Sequence, residues 1–464
     1  MCNRAGPVFL TAAIISAAGS LGAQPSETEI RRILADRVDA RHCATGMTVG
    51  VIGPNGRLVV SCGRLDKDDP RQVNGDTVFE IGSVTKVFTS LLLADMVAHG
   101  EVALDDPVAK YLPRNIRVAE KDGRAITLVD LSTHRSALPF FPSNFPPTED
   151  RAAYARYTVE QLYDSLSSPL PRAPGERWEY SNTGAGVLGL ALARRAGMDY
   201  EELVRTRITA PLGMNDTAVS MSPRMRSRLA AGHDDLLGRA PPWDLPALAG
   251  AGSLHSTAND LLKLLAAFLG YTQSPLAPAM AAMPRTERPN ELFFIRQTIG
   301  WLVIGQGDDR ILDHEGGTFG YASSLAIDPK NRTGVVVLSN ATPSVDDLGR
   351  HLLRANLPLG EPRPRAQHHE IAVDPALFDS FAGRYEPGGG WAYTVTREGD
   401  ALRIQLPAAP KLRFYPETEL DYFAKETDVQ VSFQRDGKGR ATGLILHLWG
   451  MNLPAKRADP PSGN

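Results

Sequence analysis

A serine and a lysine three residues apart, Ser83 and Lys86 in the run Ile81-Gly82-Ser83-Val84-Thr85-Lys86, carry the spacing in this chain best suited to covalent chemistry. They open a stretch in which Val87, Phe88, Leu91, Leu92, Met96 and Val97 recur at helical spacing until His99-Gly100 stops it. Positions three apart share a helix face, and side chains lean toward the N-terminus, so the amine reaches back to the hydroxyl. Serine ionises too weakly to attack at neutral pH; a desolvated lysine can lose its proton and take one from the hydroxyl. A helix start also favours negative charge developing there. The pair alone is weak, because the same spacing arises on solvated helices.

Two further groups raise its weight. Trp178-Glu179-Tyr180-Ser181-Asn182 lies at a turn before the glycine-rich helical stretch Gly184 to Arg195. Tyr180 can relay protons as phenol or phenolate, and Asn182 offers an amide to orient the lysine and a substrate carbonyl. The third group, Asp313-His314-Glu315-Gly316-Gly317-Thr318, precedes the strand-like runs Ser323 to Ile327 and Gly334 to Leu338. On an extended edge His314 and Gly316 face the cleft, Glu315 points away, and the glycines let backbone approach a ligand. The amides of Ser83 and Gly317 are then candidate oxyanion donors.

In order and spacing, Ser83-Val84-Thr85-Lys86, Tyr180-Ser181-Asn182 and His314-Glu315-Gly316 resemble the three motifs of the penicillin-recognising serine hydrolases, the superfamily of class C β-lactamases, DD-peptidases and esterases. Val102 to Val108 and Leu131 to Pro139 are similar to the same family, and the resemblance spans about residues 45 to 345. It implies an α/β (α+β) fold, an antiparallel sheet flanked by helices plus an all-α region. It also implies an acyl-enzyme mechanism with Ser83, Lys86 and Tyr180 catalytic, Asn182, His314, Gly316 and Gly317 binding substrate, and neither cofactor nor metal. The substrate class is β-lactam or D-amino-acid peptide amides. A carboxylesterase on short acyl esters is the alternative, and a penicillin-binding sensor without turnover is a third.

Two positions depart from the family pattern. His314 stands where class C β-lactamases carry a lysine that holds a substrate carboxylate; imidazole is only partly charged near neutrality, so capture should weaken as pH rises. Glu315 replaces a small hydroxyl residue, harmless if it faces away. His134, before a proline-rich loop, reads as a structural hydrogen-bonding residue. His368-His369 lack ligands at zinc spacing, and Gly316 to Gly320 lack a dinucleotide spacing.

These residues need a large scaffold, and 464 residues favour a large domain plus a smaller one. The expected division is a signal peptide at 1–23, a hydrolase domain at 24–356, a proline- and arginine-rich linker at 357–374 and a small all-β barrel at 375–464. Alternating runs at Tyr393-Val395, Leu402-Ile404, Val429-Phe433 and Leu444-Leu448 argue for the barrel, and Phe378 to Tyr385 resembles the lipocalin-like domain of some relatives. Leu138 to Pro147 and Ser274 to Pro289 read as surface loops; Leu138 to Pro147 and Met221 to Trp243 are candidate pocket walls.

Export follows from Arg4, the apolar run Val8 to Ala18 and Gly22-Ala23, with no span long enough to cross a membrane after cleavage, placing the enzyme in the periplasm or outside the cell. There Cys43 and Cys62, flanking a hairpin around Gly53-Pro54-Asn55-Gly56, can pair. With 50 basic and 53 acidic residues, a net charge of -3 and no basic block, nucleic acid is excluded as a partner. The partner is a small-molecule or peptide substrate, and the oligomeric state is left open.

Overall fold

The computed structural model describes residues 24–146, 151–289, 296–360, 368–388, 391–406, 411–425, 429–437, 439–448 and 451–458. The expected signal peptide and the middle of the expected linker lie outside them.

Gly46–Gly53 (β1) and Gly56–Asp66 (β2) form the hairpin anticipated around Pro54-Asn55, followed by Asp69–Gln72 (β3). Val78–Glu80 (β4) pairs with His255–Thr257 (β5) as a separate ribbon. Arg288–Pro289 (β6), Arg296–Gln297 (β7), Leu302–Ile304 (β8), Ile311–Gly317 (β9), Ala322–Asp328 (β10) and Thr333–Ser339 (β11) complete an antiparallel sheet of order β3-β2-β1-β11-β10-β9-β8-β7-β6. β1 and β11 pair in the middle, Val49 opposite Val337, and both are buried throughout. Their near-continuous apolar runs reflect burial on both faces rather than alternation.

Helices cover each face. Glu27–Ala35 (α1), capped by Ser26, packs Ile30, Ile33 and Leu34 against Val49, Val51, Val335 and Val337. On the other face lies Thr85–Ala98 (α2), apolar on every side and almost wholly buried, as expected of a helix inside a domain rather than on its surface. Asn182–Ala196 (α3), closed by Gly197 at φ 73°, packs beside it, and Ala258–Phe268 (α4) covers β1 and β11. Asp346–Leu353 (α5) returns to the α1 side, burying Leu348 and Leu352.

Two points of the sequence reading are settled here. Ser274 to Pro289 is not a bare loop: Ala277–Ala282 is helical, with a proline in its first turn and Ala279, Met280 and Met283 in the core. The helix is too short for its periodicity to show in the sequence. Cys43 and Cys62 are free thiols. The hairpin ladder ends at Gly46 opposite Gly63, so Cys43 falls beyond it, and the Cys62 thiol donates to Asp39 at 3.5 Å.

Gly383–Gly388 (β12), Trp391–Glu398 (β13), Ala401–Gln405 (β14), Lys411–Pro416 (β15), Asp421–Ala424 (β16), Val429–Arg435 (β17), Ala441–Leu448 (β18) and Met451–Arg457 (β19) close into an antiparallel barrel. Phe381, Tyr385, Phe414, Tyr422 and Phe433 fill it, and the Tyr385 hydroxyl donates to Phe381 O at 2.7 Å. The segment before it is pinned to the barrel: His368 Nδ1 lies 2.8 Å from Glu417, and Ile371 N donates to Pro416 O at 2.9 Å.

Candidate active site

The chain reaches the first turn of α2 through Gly82, whose φ of 47° lies in the left-handed region that favours glycine. A Cβ there would stand 2.7 Å from Gly317 O and 2.8 Å from Gly317 N. At Gly316 it would meet Ile81 O at 2.2 Å and the Ser323 hydroxyl at 2.4 Å, and that hydroxyl donates to Ile81 O at 2.9 Å. The strand edge and the turn before Ser83 are therefore in backbone contact. Gly316 lies on the cleft face, and its missing side chain admits the Ile81 carbonyl. Gly317 is different: it is exposed, with nothing within 4 Å of where its Cβ would be.

Ser83 is partly exposed and Lys86 is buried behind it. Lys86 Nζ lies 2.9 Å from Ser83 Oγ, 2.7 Å from Asn182 Oδ1 and 2.7 Å from Ala251 O. Burial holds the amine well below the usual lysine range. The amide and carbonyl oxygens are pure acceptors and take two of the amine's N–H groups, so the third position on Nζ faces the Ser83 hydroxyl.

Tyr180 is partly exposed and hydrogen-bonded to Ser83. Burial raises its phenol above the ordinary value, outweighing the Ser83 bond, so at neutral pH it is a phenol rather than a phenolate. Its ring sits under the Lys86 amine, 4.8 Å from Nζ to centroid, and against the His134 imidazole. Ser181 caps α3, accepting from Gly184 N at 2.8 Å and donating to Pro139 O at 2.8 Å. Asn182 N donates to Phe140 O at 2.9 Å, which fixes the amide beside Lys86.

β9 alternates as its sequence implies. His314 is buried on the α2 side, while Asp313 and Glu315 turn toward α5, where Arg350 donates to Asp313 at 2.8 and 2.6 Å. Burial, helped by Asp346, raises the Glu315 carboxyl. His314 Nδ1 donates to Glu315 O at 2.8 Å. Burial first, and the Lys86 charge second, lower its pKa to about 4. It is a neutral acceptor at physiological pH and not the partly charged imidazole expected from the sequence.

Residues the sequence did not single out complete the site. Ala251 O is a backbone group, signalled only by the small residues of Ala249-Gly250-Ala251-Gly252, which let that turn approach α3: a Cβ on Gly250 would be 3.1 Å from Ala185 O. Glu80 is buried three residues before Ser83 and accepts from Trp243 N at 2.9 Å.

With this geometry in place, comparison with known proteins is informative. The sequence model of the beta-lactamase family matches residues 30–358, and that of a domain of unknown function, DUF3471, matches 367–457. The D-alanyl-D-alanine-carboxypeptidase/endopeptidase AmpH of Escherichia coli (strain K12) is 32% identical over 324 residues, 67% of this chain and 83% of that protein. Penicillin-binding protein 4* of Bacillus subtilis (strain 168) is 25% identical over 449 residues, 91% of this chain and 97% of its own length. Among solved structures, a class C beta-lactamase from Rhodobacter sphaeroides superposes with a TM-score of 0.57 at 28% identity, covering 68% of this chain and 94% of that one. A beta-lactamase/D-alanine carboxypeptidase from Yersinia pestis gives 0.60 at 25% identity, over 68% and 93%.

Proposed function

Since the chain belongs to the beta-lactamase family and is a serine hydrolase of the β-lactamase/DD-peptidase type, we propose that Ser83 is its nucleophile, Lys86 the base that activates it and Tyr180 the second proton carrier. The observation that carries this reading is the geometry at Lys86, where two pure acceptors hold two of the amine's N–H groups and the third position on Nζ faces the serine hydroxyl at 2.9 Å.

The Ser83 oxygen bonds to the carbonyl carbon as its proton passes to Lys86. The developing oxyanion lies between the amides of Ser83 and Gly317, a placement supported by the contact of Gly82 with Gly317. The bond from carbon to the leaving nitrogen then breaks, and that nitrogen takes a proton from the Tyr180 phenol, which Lys86 restores. Water, deprotonated by the same pair, later adds to the acyl carbon and releases Ser83. Asn182 orients both Lys86 and the substrate carbonyl. The substrates are β-lactams or D-amino-acid peptides, as the names of the relatives indicate, and the apolar run Val8 to Ala18 supports export. Among the described residues, no helix is long and apolar enough to cross a membrane.

The test is Ser83→Ala. It should abolish nitrocefin turnover and covalent labelling by a fluorescent penicillin, whereas labelling that persists at another residue refutes the assignment. One observation favours a second reading, hydrolysis of short acyl esters: with His314 neutral and its Nδ1–H spent on Glu315 O, that position offers no cation to a substrate carboxylate. p-Nitrophenyl esters that turn over while penicillins neither react nor inhibit would select it.

A further inference from the structure

Glu179 and Thr183, the residues that bracket Tyr180, Ser181 and Asn182, line a cavity of about 180 Å³ to which neither Ser83 nor Lys86 contributes. Leu138 and Pro139 line it from the loop after His134, and Leu170 and Pro171 from the chain beyond the helix Val159–Ser165. Ser143 and Ser168 join the two stretches, hydroxyl to hydroxyl, at 2.9 Å. A space of this size takes a six-membered ring with one substituent.

Apart from hydroxyls and one carboxylate, the lining is apolar. Glu179 is already paired with Arg172, and among the described residues no basic side chain lines the space, so nothing in it selects a charged molecule. Ser165 spends its proton on Leu162 O at 2.6 Å, and Ser143 and Ser168 engage each other. Thr183 differs. It is 1% exposed, and among the described residues its Oγ1 has no hydrogen-bond partner. A buried hydroxyl left in that state destabilises the protein, and a ligand hydroxyl, which both donates and accepts, supplies what it lacks.

We propose that this cavity is a second binding site, for a small uncharged alcohol with an aromatic or alicyclic body, and that its occupancy alters acylation at Ser83. The second half of the proposal rests on Ser83 being the nucleophile; the first does not. Backbone bonds tie the lining to the catalytic segment. Glu179 N donates to His134 O at 2.7 Å, Ser181 Oγ to Pro139 O at 2.8 Å, and Asn182 N and Thr183 N to Phe140 O at 2.9 and 3.2 Å. Thr183 stands in the first turn of α3 beside Asn182, whose Oδ1 accepts from Lys86. A ligand that shifts either stretch therefore moves Tyr180 or Asn182 against the amine, which couples the two sites.

Benzyl alcohol is the probe and benzoate its charged counterpart. Saturation-transfer NMR on the full chain should show the alcohol bound with a Kd of about 1 mM, in wild type and Ser83→Ala alike, and benzoate bound about tenfold or more weakly. Leu170→Trp, which fills the cavity, should abolish binding. Thr183→Val, of the same shape without the hydroxyl, should weaken it about fivefold or more and raise the Tm of the free protein. Saturating alcohol should change the rate of Ser83 acylation by nitrocefin about threefold or more in wild type and leave it unchanged in Leu170→Trp. Ser168→Trp, at a half-exposed position, replaces Leu170→Trp if thermal unfolding shows that variant misfolded. Binding that survives the filled variant, that is lost once a penicillin occupies Ser83, or that leaves the acylation rate unchanged overturns the proposal. If no adduct forms on Ser83 while the alcohol still binds at Thr183, the nucleophile assignment fails and the binding site stands.

Discussion

The imidazole of His134 stacks on the Tyr180 ring at 4.4 Å between centroids with 30° between planes, and its Nδ1 accepts the Ser181 N–H at 3.2 Å. The His134 backbone carbonyl also accepts from Glu179 N at 2.7 Å, and the residue sits at φ 57°. One side chain and its own peptide thus hold Glu179, Tyr180 and Ser181. Burial above all keeps the ring well below the ordinary histidine range, so Nδ1 stays free to accept.

Replacing His134 should accordingly cost rate more than fold. His134→Ala is expected to lower kcat/KM about a hundredfold, while His134→Gln, whose side-chain oxygen can still accept from Ser181, should lose about tenfold. Steady-state kinetics alongside thermal unfolding checks this; equal losses for both, or a fall in stability with normal kcat, would give His134 a packing role only.

Lys86→Arg should be as inactive as Lys86→Ala, each losing about a thousandfold or more in acylation rate, because guanidinium cannot give up its proton. Stopped-flow acylation by nitrocefin measures it. The proposed base role fails if the arginine variant keeps a substantial part of the wild-type rate.

His314 has a pKa of about 4, so its charge changes well below neutrality. KM for a carboxylate-bearing substrate should stay flat from pH 6 to 9 instead of rising, as a half-charged imidazole would require. A His314→Lys variant, adding a cation at that place, should lower KM several-fold for penicillins and leave neutral esters unchanged. KM profiles for the two substrate types decide the matter.

Gly82→Ala should destabilise the domain by about 2–3 kcal/mol or more, combining a left-handed φ with a Cβ 2.7 Å from Gly317 O. Gly317→Ala, which meets nothing within 4 Å, should change stability by less than about 0.5 kcal/mol and keep its amide. Urea titration of the two variants tests the contrast.

Much of the site was legible because it is local or periodic. Ser83 and Lys86 are three apart on a helix, and strand alternation placed His314 and Glu315 on opposite faces of β9. The barrel strands fell where Leu402-Ile404 and Val429-Phe433 alternate. What escaped was set by distant backbone and by burial. Ala251 O carries no side-chain signature, the Gly316 contact with Ile81 depends on how far apart two elements pack, and the charge of His314 follows from desolvation. The contact of Trp243 N with the buried Glu80 carboxyl joins two distant segments, which sequence spacing does not reveal.

The central pairing of the sheet, β1 with β11, also bears on synthesis. Val49 finds its partner Val337 only after almost the whole hydrolase domain has left the ribosome; until then Gly46–Gly53 has the β2 hairpin alone. Such late closure slows folding and leaves the middle of the sheet as one of the last parts of the domain to be completed.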